Sequence, residues 1–296
     1  MSSRCAELLL AAVIAARSIS YLLEKIGLES IAPFTLLGIR FLIAFVFLGV
    51  LFWQKVRGAS VRAVRKSAML GGVLFLVMAC ELQGLQTVSS SMASFLENTA
   101  VVFVPLMEAA IHRRRPKRQD MILSGIILAG VALLVRQPNQ LAGGLSMGSF
   151  FCMLAAVLYA GWIILTAYSV EDDSPLVIGI LSLGFVSLFS IGAASLVETV
   201  TIPGNAEQWG IILGLAFVCS AFGFTLQPVA QQYVPVERVG MFCALNPVAA
   251  ALLGWGFLQE RIDGYGLAGA VLIIGSLLVS QRQTNGDQQK QDVLNE

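Results

Sequence analysis

The feature that most limits the fold of this chain is a series of apolar stretches that fills most of its 296 residues. A helix needs about 20 mostly apolar residues to cross a hydrocarbon core about 30 Å thick. The polar breaks between the stretches are short, so they leave no room for a soluble domain. We therefore predict ten transmembrane helices, at residues 5–23, 33–53, 67–86, 89–111, 119–136, 146–168, 176–198, 208–229, 236–257 and 264–281.

The amino-acid composition is typical of a membrane protein. Hydrophobic residues make up 57% of it and charged residues only 12%, with a mean hydropathy of +0.80. Soluble domains usually contain about 25% charged residues. Because lipid offers no hydrogen-bond partners, each spanning segment must satisfy its backbone as a helix. We expect an all-α membrane protein whose immediate surroundings are the bilayer.

Several classes of function find no support in the sequence. The single histidine, His112, lies in a basic loop, and there is neither an HExxH nor a GxxxxGK[ST] motif. No pair of the five cysteines has the spacing of metal ligands. A net charge of +1 gives no reason to expect nucleic acid as a partner. We expect neither an enzyme nor an ATP-driven pump, with no cofactor and no metal.

The basic residues indicate the orientation of the chain. Placing the N-terminus in the cytoplasm leaves only Lys25, Arg136 and Arg261 in the outer loops. Because cytoplasmic loops carry the excess of Lys and Arg, this asymmetry predicts that both termini are cytoplasmic. The polar residues 283–296 are predicted to form a disordered cytoplasmic tail. The basic residues on the cytoplasmic side are then Arg4, Lys55, Arg57, Arg62, Arg65, Lys66, Arg113, Arg114, Arg115, Lys117, Arg118, Arg238, Arg282 and Lys290.

The two halves of the sequence also resemble each other. A shift of 144 residues aligns Gln83 with Gln227 and Val104 with Val248 without a gap. This predicts two five-helix repeats, at residues 1–137 and 145–282. Because five is odd, the second repeat enters the membrane from the opposite side, which is the inverted topology found in secondary transporters.

Three longer motifs carry a resemblance to a known family. They are APFTLLGIRF with Pro33 and Arg40, LQGLQTVSSSMASFLENTAVVFVPLM at 82–107, and LQPVAQQYVPVERVGMFCALNPVAAALLGWGFLQERI at 226–262. Over nearly its whole length the chain resembles the drug/metabolite transporter superfamily, EamA type, whose members are ten-helix bacterial carriers. The resemblance implies a multi-pass protein of a bacterial inner (cytoplasmic) membrane. It also implies substrate movement through a central cavity by alternating access, without ATP.

The chain departs from the family pattern at two places. Ala16-Arg17 stands in the first helix where many relatives have Trp-Gly, and the cluster Arg113 to Arg115 replaces a glutamate that is usual near the end of the fourth helix. The first-helix position helps to line the cavity in the family. We therefore expect Arg17 to be one of the residues that set the specificity of this member.

Four ionisable residues fall inside predicted spans: Arg17, Arg40, Glu81 and Glu97. Such a residue costs about 2.5 to 3.5 kcal/mol at the bilayer centre, so it normally faces the protein interior. With a rise of 1.5 Å per residue, all four lie within roughly 6 Å of the midplane. One interpretation is that Glu97 and Glu81 bind a substrate cation or proton, while Arg17 binds a carboxylate or a substrate anion. The alternative is that these residues form a structural ion pair. For Arg40 we consider a structural or a gating role.

Uncharged polar residues lie on the helices that should line the cavity. They could equally serve as hydrogen bonds between helices. Pro105 and Pro247 free the carbonyls of Val101 and Cys243, and we assign these prolines a structural or gating role. The uncharged candidates for the cavity are Asn98, Gln83, Gln227 and Asn246.

The first functional hypothesis is a secondary carrier that moves small metabolites, including amino acids or related compounds. A second is proton-coupled efflux of lipophilic cations or drugs, suggested by Glu97 and Glu81. A third, from another class, is a membrane receptor or scaffold that transports nothing. The expected partners are a small-molecule substrate and protons as a candidate coupling ion, with the oligomeric state left open.

Overall fold

A computed structural model of the chain describes residues 3–134, 146–170, 173–199, 202–249, 252 and 264–295, and these residues form helices and no strand. The first half of the chain, residues 3–134, contains α1 (Ser3–Arg17), α2 (Ser20–Gly27), α3 (Pro33–Leu51), α4 (Trp53–Arg57), α5 (Val61–Leu85), α6 (Ser90–Asn98), α7 (Ala100–Ile111) and α8 (Arg118–Leu134). The second half, residues 146–295, contains α9 (Met147–Ser169), α10 (Pro175–Val197), α11 (Ala206–Gly214), a π-helix (Leu215–Phe224), α12 (Thr225–Gln231), α13 (Val236–Phe242) and α14 (Gly264–Asn295).

The helices begin where the sequence supplies a suitable first turn. Pro33 and Pro175 occupy the first helical position of α3 and α10, where a backbone N–H is not needed. Other helices begin after a polar residue that satisfies one of the first backbone N–H groups. These residues are Ser60, Ser89, Ser146 and Asn205, and each accepts a hydrogen bond from the N–H three residues later.

Seven helical stretches in the described part of the chain are long and apolar enough to cross a membrane. They confirm the prediction of an all-helical protein with several membrane spans. Of the remaining predicted spans, α8 covers 119–134, α14 has an apolar portion at Gly264–Ser280, and 236–257 lies partly outside the described residues. The seven stretches are Arg4–Gly27, Pro33–Leu51, Val61–Leu85, Met92–Ile111, Met147–Ser169, Pro175–Val197 and Ala206–Gln231.

Several of these stretches are interrupted near their middle. Ser18 and Ile19 separate α1 from α2, and Thr99 separates α6 from α7. In the second half, α13 is followed by Cys243 and Ala244 before helical geometry resumes at 245–249. Interruptions inside a membrane are tolerated where the backbone is buried in protein or lines a cavity.

Helices of the first half pack against helices of the second half. α3 lies on α10, α8 on α14, and α7 on α13. In addition, α5 packs against α9, while α1 packs against the π-helix and α12. The first and third spans of the first half, which contain α1 and α5, therefore pack against the third and first spans of the second half, respectively.

Some of these crossings are close because a glycine leaves room. A Cβ at Gly71 of α5 would lie 2.8 Å from the carbonyl oxygen of Ser182 and 2.6 Å from Cβ of Phe185, both on α10. A Cβ at Gly38 of α3 would lie 2.8 Å from a side-chain carbon of Ile191. Membrane helices use small residues in this way because close backbone approach increases van der Waals contact.

The polar C-terminal segment differs from the prediction. We predicted a disordered tail at 283–296, whereas α14 continues to Asn295. No proline occurs between Gly264 and Asn295, and Gln, Lys and Arg lose little side-chain freedom in a helix. The backbone can therefore extend the last apolar helix through the polar residues.

The glycine crossings give a first testable prediction. Gly71→Ala places a methyl group against a backbone carbonyl, and overpacking of this kind typically costs about 1–3 kcal/mol. We expect the thermal-unfolding midpoint of the purified protein to fall. The matched control is Gly125→Ala in α8, where nothing lies within 4 Å of the new methyl group. Equal midpoints for the two variants would show that the α5–α10 crossing is looser than described.

Candidate functional site

A cluster of buried polar side chains lies where the two halves meet. Its members come from α1, α2, α3, α5, α6, α9 and α12, and none is more than 7% exposed. Polar groups at this depth in a membrane protein are costly, so they mark functional sites or ion pairs. The central polar cluster consists of Arg17, Tyr21, Glu24, Arg40, Glu81, Glu97, Tyr159 and Gln227.

Arg17, at the end of α1, connects the first half to the second. Its Nη1 donates to the hydroxyl of Tyr159 at 2.5 Å and to Oε1 of Gln227 at 2.7 Å. Gln227 Nε2 in turn donates to the Tyr159 hydroxyl at 3.1 Å. The Arg17 guanidinium carbon also lies 3.9 Å from the ring centroid of Phe224, in the π-helix. The acceptors of this buried cation are therefore neutral groups of the second half.

This arrangement leaves part of the guanidinium group unused. Both hydrogen bonds of Arg17 start from Nη1, and among the described residues Nη2 and Nε have no acceptor. The sequence had suggested a carboxylate or a substrate anion as the partner of Arg17. Among the described residues no carboxylate forms an ion pair with it, and its hydrogen-bond acceptors are Tyr159 and Gln227.

The acidic members of the cluster surround the same region. Tyr21, one helical turn beyond Arg17, donates its hydroxyl to Oε2 of Glu97 at 2.6 Å. Glu81 is 3% exposed, and within the described residues its carboxylate has no hydrogen bond or ion pair. Glu81 interacts electrostatically with Glu97 and Arg17, so the three groups share one electrostatic environment.

Arg40 has a direct ionic partner that the sequence analysis did not identify. Its Nη1 forms an ion pair with Glu24, and both side chains are 1% exposed. The pair joins α2 to α3 within the first half. With Arg40 neutralised by Glu24, the cluster holds three carboxylates against two guanidinium groups, so one carboxylate is in excess.

Further buried polar atoms have no partner in the described part of the chain. The Nδ2 atom of Asn98 donates to the Ser94 carbonyl at 2.6 Å, but its Oδ1 accepts nothing. In the described part of the chain, Oδ1 of Asn246 also accepts no hydrogen bond, and in Gln231 Oε1 accepts none and Nε2 donates none. An unsatisfied buried polar atom costs about 1–3 kcal/mol, so these atoms are suited to meet a polar ligand.

Gln83 lies outside the central polar cluster, as do Asn98 and Asn246, but unlike those two predicted cavity residues it is only partly buried. Its Oε1 accepts a hydrogen bond from Gln86 at 3.2 Å, and Gln86 is exposed. Residues two apart on an α-helix point about 200° apart. Because Glu81 faces the cluster, Gln83 points away from it. Gln227, with which Gln83 aligns when the sequence is shifted by 144 residues, is fully buried and contacts Arg17.

The two candidate prolines lie in helical segments whose freed carbonyls have other partners. The carbonyl of Val101 accepts from the Ser124 hydroxyl at 3.0 Å. The carbonyl of Cys243 accepts from the backbone N–H of Asn246 at 3.0 Å. These contacts favour a structural role for Pro105 and Pro247, since neither carbonyl is left for a ligand.

A second set of polar contacts joins the halves at the end of the bundle where α1 begins. Glu7 forms an ion pair with Arg238, and both are about 4% exposed. At the same end, Tyr168 lies 2.8 Å from Nε2 of His112, and that nitrogen is 2.8 Å from Glu108. We call this set the end cluster; it consists of Glu7, Glu108, His112, Arg114, Tyr168, Glu237 and Arg238.

Two members of the central cluster were recognisable from their spacing. Arg17, Tyr21 and Glu24 follow at intervals of four and three residues, which places them on one face of a helix. Glu24 was not predicted as a site residue, because it falls just beyond the predicted end of the first span at residue 23. Within the described residues, no three His, Cys, Asp or Glu side chains converge as a metal site.

Comparison with known proteins places this site in context. The chain matches the EamA-like transporter family over residues 5–136 and again over 146–281. It is 25% identical over 275 residues to an "Uncharacterized transporter" of Archaeoglobus fulgidus, covering 89% of this chain and 93% of the relative. It is 25% identical over 283 residues to a "Probable amino-acid metabolite efflux pump" of Salmonella typhimurium, covering 90% and 92%. A solved crystal structure shares the fold, with a TM-score of 0.77 and 18% identity over 94% of this chain and 96% of that one.

The buried ion pair gives a second prediction. Arg40→Met leaves Glu24 as an uncompensated buried charge, and such a change typically costs about 3–5 kcal/mol. We expect a large fall in the thermal-unfolding midpoint. The double variant Glu24→Leu/Arg40→Met removes both charges and should recover most of the loss, because apolar replacement of a whole buried pair is often neutral. A double variant no more stable than Arg40→Met would contradict the assignment.

Proposed function

Because the chain belongs to the EamA-like transporter family, we propose that it is a secondary active carrier that moves small metabolites, among them amino acids or related compounds, across the bacterial inner membrane. Substrate would move by alternating access between two halves of the bundle. The observation that carries this proposal is the bond of Arg17 to Tyr159 and Gln227, which places a buried cation on the interface between the halves.

The proposal includes an inverted repeat of five helices in each half, at residues 1–137 and 145–282. The two family matches, at 5–136 and 146–281, support this division. The helix breaks support it as well, because α6 ends at Asn98 and α13 at Phe242, which is 144 residues later. An odd number of spans in each half would leave both termini in the cytoplasm, as the basic residues predict.

Alternating access also requires an end of the bundle that opens and closes. In the proposed orientation the end cluster is cytoplasmic, and its contacts run between the halves: Glu7 of α1 with Arg238 of α13, and Tyr168 of α9 with Glu108 of α7. These contacts must break before a substrate can leave the central cluster toward the cytoplasm. The structure would then correspond to a state that is closed on that side.

The chemistry of the central cluster favours a substrate that carries charge. Nη2 and Nε of Arg17 can donate to an anionic group, and the excess carboxylate of Glu81 or Glu97 can accept a cationic one. A zwitterionic metabolite satisfies both sides and adds no net charge to the apolar bundle. The similarity to a protein named as an amino-acid metabolite efflux pump supports this substrate class.

The test is flux in proteoliposomes that contain the purified chain. We expect saturable uptake and counterflow for at least one member of a panel of radiolabelled amino acids. Arg17→Gln should raise KM by about tenfold or more, since a charged hydrogen bond contributes about 1.5–3 kcal/mol. The matched control Arg57→Gln, at an exposed position of α4, should leave KM unchanged.

The outcomes of this experiment separate the classes of function. Folded wild-type protein that moves neither amino acids nor an organic cation would favour a receptor or scaffold. Saturable flux that Arg17→Gln and Arg57→Gln alter equally would contradict the role given to Arg17.

The alternative of proton-coupled efflux of lipophilic cations rests on the excess of carboxylates in the cluster. In that case Glu97 binds a proton and the cation in turn, with Glu81 beside it. Glu97→Gln should then abolish antiport of tetraphenylphosphonium driven by a pH gradient. Glu29→Gln, at an exposed position, is the control and should behave like the wild type. If the antiport of Glu97→Gln still depends on the pH gradient, the cation mechanism is ruled out.

A further inference from the structure

Gly223 of the π-helix lies directly beside the side chain of Arg17. A Cβ at this position would be 2.5 Å from Cγ of Arg17 and 3.0 Å from its Cδ. Real Cβ atoms do not approach other carbons so closely. The side chain of Arg17 therefore passes through space that exists only because residue 223 has no side chain.

Other contacts hold the same stretch of the π-helix against α1. The Phe224 ring packs under the guanidinium group of Arg17 at 3.9 Å, which is a favourable cation–π distance. One turn earlier, the Cys219 thiol lies 3.6 Å from the carbonyl oxygen of Ala16, at the end of α1. The π-helix thus supports both the backbone and the side chain of Arg17, and π-helical segments frequently occur at functional sites.

Gly223 differs from the other close glycines in what it faces. Gly71 approaches a carbonyl oxygen of α10, and Gly179 approaches the backbone of Thr225. Those positions serve the packing of one helix on another. Among these close glycines, Gly223 is the one whose added Cβ would meet a charged side chain.

We propose that Gly223 is a positioning residue for the transport site: it leaves the passage through which Arg17 reaches Tyr159 and Gln227. Residues 17 and 223 then act as a pair, and together they set the direction of the guanidinium group and its affinity for the anionic group of a substrate. The inference rests on the proposed function, because it assigns that affinity to a carried molecule.

The geometry explains why Arg17 cannot accommodate a side chain at residue 223 without losing its hydrogen bonds. The atoms that an added methyl group would strike are Cγ and Cδ, which lie near the backbone end of the side chain. Moving them requires another rotamer, and this displaces the guanidinium group from both of its hydrogen bonds. A side chain of residue 223 therefore acts on the site through Arg17 and does not need to touch the substrate.

The first experiment is a double-mutant cycle on thermal unfolding with Arg17→Ala, Gly223→Ala and the double variant. We expect Gly223→Ala to lower the unfolding midpoint when Arg17 is present and to have no such effect in the Arg17→Ala background, where the clash is gone. The matched control is Gly192→Ala, which has nothing within 4 Å and should be neutral in both backgrounds. Additive effects of the two substitutions would overturn the proposal.

The second experiment measures transport, which a purely structural glycine would not affect selectively. With the radiolabelled amino acid that the wild type moves fastest, Gly223→Ala should raise KM about tenfold with a smaller effect on the maximal rate, as expected when one overpacked methyl group misplaces a binding side chain. An unchanged KM in a folded Gly223→Ala variant would also overturn the proposal. If the wild type moves no amino acid, the proposed function fails, while the unfolding cycle still decides whether Gly223 positions Arg17.

Discussion

The hydrogen bonds of Arg17 to Tyr159 and Gln227 are the interaction on which the rest of the site depends. A guanidinium group inside an apolar bundle is stable only if nearby dipoles replace its lost hydration. Here one span of the first half supplies the charge, and two spans of the second half supply the acceptors. The interface between the halves is therefore polar at its centre as well as at the end cluster.

The choice of neutral acceptors has a consequence for binding. A carboxylate partner would cancel the charge of Arg17, as Glu24 does for Arg40. Tyr159 and Gln227 solvate the cation without neutralising it, so its attraction for an anionic ligand is preserved in a medium of low polarity. The same cluster thus contains one arginine paired with a carboxylate and one whose hydrogen-bond acceptors are neutral.

Interrupted helices make this arrangement possible. Arg17 stands at the break between α1 and α2, Asn98 at the break between α6 and α7, and Gly223 in the π-helix. A regular helix would keep the side chains on a fixed 3.6-residue spiral. The local changes in winding bring polar groups from several helices to one level, and they do so where the backbone is shielded from lipid.

Several features of the site could be predicted because they depend on the free energy of placing a single charged side chain in the membrane. Arg17, Glu81 and Glu97 lie in apolar stretches, and a charge there must face inward whatever its partners are. Their partners could not be derived in the same way. Gln83 and Gln227 align in the shifted sequence, yet only Gln227 reaches Arg17, because packing sets the rotation of each helix.

The sequence by itself determined an all-helical membrane protein, the positions of most spans and the buried charges, since each follows from the transfer cost of one segment or one side chain. The tertiary structure decided which groups meet: Arg40 with Glu24, Tyr21 with Glu97, and Arg17 with Tyr159. It also decided which glycines matter, because Gly223 and Gly125 differ only in what lies beside them. Contacts between distant residues depend on how helices rotate and cross, and that is a property of the whole bundle.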